Sequence, residues 1–281
     1  MEIVNNMKRI FDHANYQLPL GSRWNKMLFW DVTLGCSPCS IGCMRCSSAR
    51  TVYLNGDEHG IVDDSSGTPL FNEKVIIDGS ALNMNFADNE QVFVCGRSDL
   101  FHESISNTFI QKVIGHAAIR PDCTFFVLTK RPIRIGQFKW PSHFWVGASI
   151  ENQQMADSRL SHLTNVKAIR FASIKPCLGP IDLSPYKDCI DAVIVGGEYG
   201  PGARPMHKHW VYNIMNWCHA NRKPFSFHNW GLWIPGRRSG NCINRRIGID
   251  GMPSSVGQFV HTHLDGEDGT TIDGDTWDEY P

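Results

Sequence analysis

The sequence predicts an α/β fold, a partial or complete (β/α) barrel of parallel strands, on three observations. Short apolar, β-branched or aromatic runs recur along the chain, helical patterns separate several of them, and the polar residues gather just after the runs. With 281 residues, 42% of them hydrophobic, the chain is long enough for one large core, since such barrels commonly reach about 250 residues undivided.

Taken in order, residues 1–25 read as an N-terminal extension and 26–234 as the barrel. The first run, Met27–Thr33, leads directly into a cluster of cysteines. Clusters of Gly, Asp, Asn and Ser then break the rhythm over Thr51–Asn89, which reads as an insertion. Further strands are predicted at Gln91–Cys95, Thr124–Thr129, Phe144–Ile150, Ala168–Ser173, Ala192–Gly196 and Pro224–His228. Such near-continuous apolar strands belong to sheets covered on both faces. Helical patterns fall at Ser104–Ala118, with a serine cap and apolar Ile105, Phe109, Ile110, Val113 and Ile114, and at Asn152–Leu163 and His207–Asn221. Residues 235–281 form an irregular C-terminal tail, with Arg237-Arg238 and Arg245-Arg246 as candidate phosphate contacts and an acidic surface stretch, Asp265–Glu279.

Charge narrows the function. With 27 basic against 28 acidic residues the net charge is −1, which excludes a global field of the kind that grips nucleic acid by charge alone. The N-terminus lacks an apolar signal core and no run of about 18 apolar residues occurs, so a cytoplasmic protein without a membrane partner is expected. Ten cysteines in a reducing compartment are then thiols or ligands rather than a disulfide frame. Cys95, Cys123, Cys177, Cys189, Cys218 and Cys242 are scattered and read as small buried hydrophobes.

Cys36, Cys39, Cys43 and Cys46 are not scattered. They share a loop rich in Gly, Pro and Ser, so several thiolates can turn toward one soft metal. Two CxxC pairs would suit a four-cysteine zinc site, but only three residues part them, where zinc modules use a longer connection. Cys39, Cys43 and Cys46 spell CxxxCxxC, the spacing that holds a [4Fe–4S] cluster in radical S-adenosylmethionine (SAM) enzymes; Cys36, Cys43 and Cys46 give the wider CxxxxxxCxxC. Iron–sulfur, zinc and incidental buried thiols all remain open on the spacing alone.

Barrels place their functional groups after the C-terminal ends of strands. There the sequence puts Gly96-Arg-Ser-Asp99 with His102 and Glu103, Thr129-Lys130-Arg131, Ser149-Ile-Glu-Asn152, Ser173-Ile-Lys175, Gly196-Gly197-Glu198 and His228-Asn229. Any one of these has an ordinary reading, such as Asp99 or Asn152 as a helix cap. As a set they converge on one predicted mouth.

These residues carry a resemblance. Trp30, Thr33, Gly35-Cys36, Gly42-Cys43, Cys46, Ser98-Asp-Leu-Phe-His-Glu103, Val127-Leu-Thr-Lys-Arg-Pro132, Trp145-Val-Gly147, Glu151-Asn-Gln153, Arg170-Phe171, Leu178-Gly-Pro-Ile-Asp-Leu183, Val193-Ile-Val-Gly-Gly-Glu198 and Gly200-Pro-Gly-Ala-Arg-Pro-Met-His207 resemble a family of uncharacterised phage and mobile-element proteins. That family is itself similar to radical SAM enzymes, with a distant likeness to spore photoproduct lyase. The match runs from about Trp30 to Trp233.

The resemblance implies a barrel of the radical SAM type, a [4Fe–4S] cluster, SAM and an external electron donor. It implies Cys36, Cys43 and Cys46 as ligands, with Cys39 as a substitute. Glu198, behind Gly196 and Gly197, is implied as acceptor for the SAM ammonium, its ordinary reading being a strand-end carboxylate paired with Arg204, and Ser98 and Asp99 as partners of the ribose hydroxyls or that ammonium. Lys130, Arg131 and Arg204 would meet the SAM carboxylate or a substrate phosphate. A phage source would favour nucleic-acid modification or repair in the host cytoplasm, with Trp230 and Trp233 as candidate stacking platforms, although tryptophans in barrel loops are more often packing. A zinc-stabilised binding module and a catalytically degenerate barrel are the rivals. The chain departs from the family's pattern at Ser47-Ser48, Lys175, His228 and Leu232, where the family tends to have Tyr-Ala, Glu, Lys and Glu, which implies a different substrate or a partly lost activity.

Overall fold

The computed structural model describes residues 27–236, 244–247, 250, 258–262, 271–273 and 275–276. The N-terminal extension, Arg237-Arg238, Cys242 and most of the acidic stretch lie outside these residues.

Seven strands form one parallel sheet in chain order: β1 (Leu28–Trp30), β2 (Gln91–Val94), β3 (Thr124–Thr129), β4 (Phe144–Ser149), β5 (Ile169–Ile174), β6 (Ala192–Gly196) and β7 (Phe225–Asn229). Neighbouring strands are parallel throughout, with β1 and β7 at opposite edges. This is the partial (β/α) barrel predicted, and each predicted strand is present within a few residues.

The period-two alternation of strand side chains explains why both faces are apolar. Phe125, Val127, Val146, Ala172, Val193 and Val195 face a large core shared with the helices, whereas Phe126, Trp145, Phe171 and Ile194 form a separate cluster. Among the described residues the α-helices are α1 (Ser47–Leu54), α2 (Asn107–Ala118), α3 (Gln153–Arg159) and α4 (Lys208–Ala220). Helix α2 buries Ile110, Val113, Ile114 and Ala117, one stripe at helical spacing, and α4 buries Trp210, Val211, Ile214 and Cys218.

Three local readings change. The cap of α2 is Ser106, which accepts from Phe109 N, rather than Ser104; Ile105 sits before the helix and is buried on its own account. The helix expected over Asn152–Leu163 starts as predicted, with Asn152 Oδ1 capping Met155 N, but tightens into a 3-10 turn from Leu160. Arg159, at the junction, turns inward to donate to Ser149 O. The tail is less irregular than expected: β8 (Trp233–Pro235), β9 (Asn244–Ile247) and β10 (Gln258–Thr262) make an antiparallel sheet in the order β8-β10-β9. Trp233, Ile247 and Val260 bury together there, and Ile272 reaches the main core.

The insertion is a support for the cysteine loop. Short strands Val62–Asp63 and Leu70–Phe71 pair with each other, and Ile76–Ile77 pairs with Thr33–Leu34. Leu34, Ala49, Ile61 and Phe71 form a small core on which Cys36 and Cys46 pack. Among the described residues, no helix is long and apolar enough to cross a membrane.

Candidate metal centre at the sheet end

The cysteine loop follows β1 and lies over the C-terminal ends of the neighbouring strands. It opens beside β2, where Gly35 bridges Ser98, and a 3-10 turn, Ile41–Arg45, carries Cys43. Backbone bonds fix both ends: Glu73 N donates to Cys36 O, and Cys43 N to Ser40 O. All four thiols are free.

Beneath the loop, Glu151 is fully buried at the end of β4. Its Oε1 accepts from Ser40 Oγ at 2.8 Å and lies 3.5 Å from Lys130 Nζ, and its Oε2 accepts from Arg159 at 3.1 Å. A Cβ on Gly42 would collide with this carboxylate, so the glycine lets the loop settle onto Glu151. Lys130, one residue past β3, also donates to Cys43 Sγ at 3.6 Å. Arg131 spans the outer thiols, donating to Cys36 Sγ at 3.6 Å and Cys39 Sγ at 3.5 Å, and holds Ser37 by its carbonyl and hydroxyl oxygens. The end of β3 thus presents two cations to one loop of thiols.

The electrostatics follow. Cys39 and Cys43 lie 3.9 Å apart, sulfur to sulfur. The hydrogen bond from Cys39, and then the Lys130 charge, favour the Cys43 thiolate, and the same bond holds Cys39 in its protonated form. Burial, with Asp99 nearby, pushes Cys36 up to about 12, against the pull of Arg131. Burial disfavours the Lys130 ammonium, but Cys43, Glu151 and the other thiols outweigh it and raise its pKa. Among the described residues, no three thiols, imidazoles or carboxylates close around a single point. The donor set nonetheless suits a thiophilic metal: four free thiols, adjacent cations that favour thiolate, and an apolar wall behind Cys36 and Cys46.

The other predicted residues take definite places. Asp99 is buried and accepts from Thr129 Oγ1 at 2.6 Å, Lys130 N at 2.9 Å and Phe101 N at 2.9 Å, so it aims the turn that carries Lys130 and Arg131. Ser98 Oγ donates to Thr33 O at 2.8 Å. His102 Nε2 meets Ser37 Oγ at 2.9 Å, and Glu103 pairs with Arg131. Glu198, nearly buried beyond Gly196 and Gly197, is held by Arg204 through its main-chain N–H and guanidinium; Arg204 also donates to Ile41 O, tying the β6 end to the cysteine loop. Trp230 and Trp233 are 6% and 4% exposed, so neither offers a face for a base. Trp230 packs on Phe227, and Trp233 donates to Ala203 O with Arg245 over its ring.

Sequence reasoning gave no role to Glu151 or Arg159. Glu151 stood among the strand-end residues and could have been found as a carboxylate two residues past a largely apolar strand. Arg159 carries no such signal, because its reach back to β4 depends on where α3 is cut. Arg45 and Arg50, packed against Gly202 and Gly200, were likewise unassigned.

Lys175 and His228 touch: the Lys175 ammonium bonds to His228 Nδ1. Burial pushes Lys175 down to about 8, and burial with the Lys175 charge holds His228 well below the ordinary imidazole range. An unfolded chain protonates this histidine near pH 6.5 while the folded one does not. Its contribution to stability is therefore full above about pH 6.5 and is lost as pH falls toward the folded value. Thermal melts across that range should show an acid limb that His228→Phe flattens; an unchanged limb would refute the assignment.

Among curated proteins no match is found. Solved structures with a similar fold include a spore photoproduct lyase mutant with bound AdoMet and dinucleoside spore photoproduct, at 9% identity and a TM-score of 0.45, over 89% of this chain and 73% of that one. Another is a spore photoproduct lyase complexed with the dinucleoside, at 10% identity and a TM-score of 0.42, with the same coverage. Residues 23–281 match the family described as Protein of unknown function (DUF5131), and the chain belongs to that family.

Proposed function

We propose that the protein is an iron–sulfur enzyme of the radical SAM type, with Cys36, Cys43 and Cys46 as cluster ligands and Cys39 as the substitute for Cys36. One observation carries the reading: four free thiols on one loop meet Lys130 and Arg131 at the C-terminal ends of a parallel sheet, over a buried carboxylate. A [4Fe–4S] cluster there would supply the electron that cleaves SAM to a 5′-deoxyadenosyl radical.

The chain's own residues would do the rest. Glu151 fixes the height of the loop through Ser40 and holds Lys130 and Arg159 against it. Asp99 orients Lys130 and Arg131. Glu198, which follows Gly196 and Gly197, is the acceptor we assign to the SAM ammonium. Arg204, which pairs with Glu198, is the residue we assign to the SAM carboxylate, and Ser98 the one we assign to the ribose hydroxyls. A nucleic acid or nucleotide is the substrate class we favour, on the half-buried arginines Arg45 and Arg50 beside the glycine loop that follows β6.

The test is anaerobic incubation of the iron-reconstituted protein with SAM and dithionite, followed by chromatography for 5′-deoxyadenosine. Its formation in the wild-type protein and its absence in a Cys43→Ala/Cys46→Ala variant support the reading. Zinc in place of iron, with no product, would move the assignment to a zinc-stabilised binding module, and an intact cluster without cleavage to a degenerate barrel acting as a partner protein.

A further inference from the structure

We propose that Lys175, His228 and Asn229 form a binding site for an oxyanion, a phosphate or carboxylate group of a ligand, at the C-terminal ends of β5, β6 and β7. The site does not depend on a metal in the cysteine loop. It rests on an imbalance of donors over acceptors.

Lys175 follows β5, and its ammonium donates to His228 Nδ1. Among the described residues no charged group offsets its burial. With Nδ1 accepting, the imidazole proton sits on Nε2, and that nitrogen is buried without a hydrogen-bond partner. Asn229 is 0% exposed; its Oδ1 accepts from Gly231 N, and its Nδ2 is also buried without a partner. Buried polar groups in folded proteins nearly always find partners, so two orphans on consecutive residues point to a missing one.

The backbone is shaped for this. Val195 pairs with Phe227 and Gly196 with Asn229, so β7 carries His228 as an extra residue where the register shifts. Irregularities of this kind re-aim side chains beside functional sites. Gly196 lies between the partners: a Cβ there would sit 3.2 Å from Lys175 Cδ and 3.4 Å from His228 Cβ, so glycine leaves room for lysine and histidine to meet.

The chemistry selects the ligand. The free positions are all donors: the remaining Lys175 N–H groups, His228 Nε2–H and the Asn229 amide. Their complement is an acceptor that also carries negative charge, which describes phosphate and carboxylate. A metal cation is excluded by the ammonium. Lys175 is partly open to solvent while His228 and Asn229 are not, so the ligand would reach the lysine first.

The experiment is isothermal titration of inorganic phosphate and, separately, acetate into the wild-type protein and the Lys175→Met and His228→Phe variants at neutral pH. Circular dichroism would establish that each variant is folded. Saturable binding by the wild type that weakens about tenfold or more in both variants is expected; tighter phosphate assigns the site to a phosphorylated ligand, tighter acetate to a carboxylate. As a measure independent of any variant, the His228 Nε2 resonance in 15N-histidine-labelled wild-type protein should shift on titration. Equal binding by wild type and Lys175→Met, no saturable binding of either anion, or an unmoved resonance would overturn the proposal.

Discussion

Cys43→Ala is expected to abolish iron incorporation, leaving anaerobically reconstituted protein colourless, whereas Cys39→Ala is expected to retain most of its iron. Cys43 is where the loop's interactions meet: its sulfur accepts from Cys39 N at 3.4 Å and Lys130 Nζ at 3.6 Å, and Ser40 Oγ lies 3.7 Å away. Those groups favour thiolate, the form that ligates metal. Cys39 is the exposed member of the four, whereas Cys36 packs on the insertion's core. The Cys36→Ala variant should therefore lose most of its iron, keeping only what Cys39 holds as the substitute ligand, whereas Cys43→Ala has no substitute. Iron analysis and the visible absorption of each variant read the result. Retention of iron by Cys36→Ala with loss in Cys39→Ala would reassign the first ligand to Cys39.

Glu151→Ala is expected to destabilise the protein by about 3–5 kcal/mol even without a cofactor, the usual result of leaving buried charge uncompensated. The carboxylate is fully buried and holds Lys130, Arg159 and Ser40, so its removal leaves two cations facing each other under the loop. Chemical denaturation of the apoprotein measures the loss. Adding Lys130→Met to Glu151→Ala should restore part of it, since one of the stranded charges is gone, and the cycle of single and double variants gives the coupling. A loss under about 1 kcal/mol would place Glu151 among groups that water screens and would remove it from the account of how the loop is held.

The strands were legible because sheets covered on both faces need near-continuous apolar runs, and β4 and β6, every residue buried, show such runs directly. Helices α2 and α4 were legible from apolar spacing. The cysteine loop announced itself by composition, and Lys130, Arg131, Asp99 and Glu198 by their positions after strands. What spacing cannot carry is which side chain reaches which across the sheet. Arg159 finds Glu151 because α3 tightens at that residue, and Lys175 finds His228 only because β7 carries an extra residue opposite Gly196. Asp99 was read as a ligand-binding or capping residue, and the structure uses it to orient the Lys130 turn. For Trp230 and Trp233 the sequence left stacking and packing both open, with packing the commoner, and burial decides for packing, since period and composition do not distinguish a tryptophan under a loop from one on it.

The central claim is that the loop of Cys36, Cys43 and Cys46 binds a [4Fe–4S] cluster. Electron paramagnetic resonance of anaerobically purified, dithionite-reduced protein, with iron, sulfide and zinc measured on the same sample, tests it most directly. The account predicts about four irons and four sulfides per chain, with a reduced-cluster signal that changes on adding SAM. About one zinc per chain, with no such signal, would contradict it.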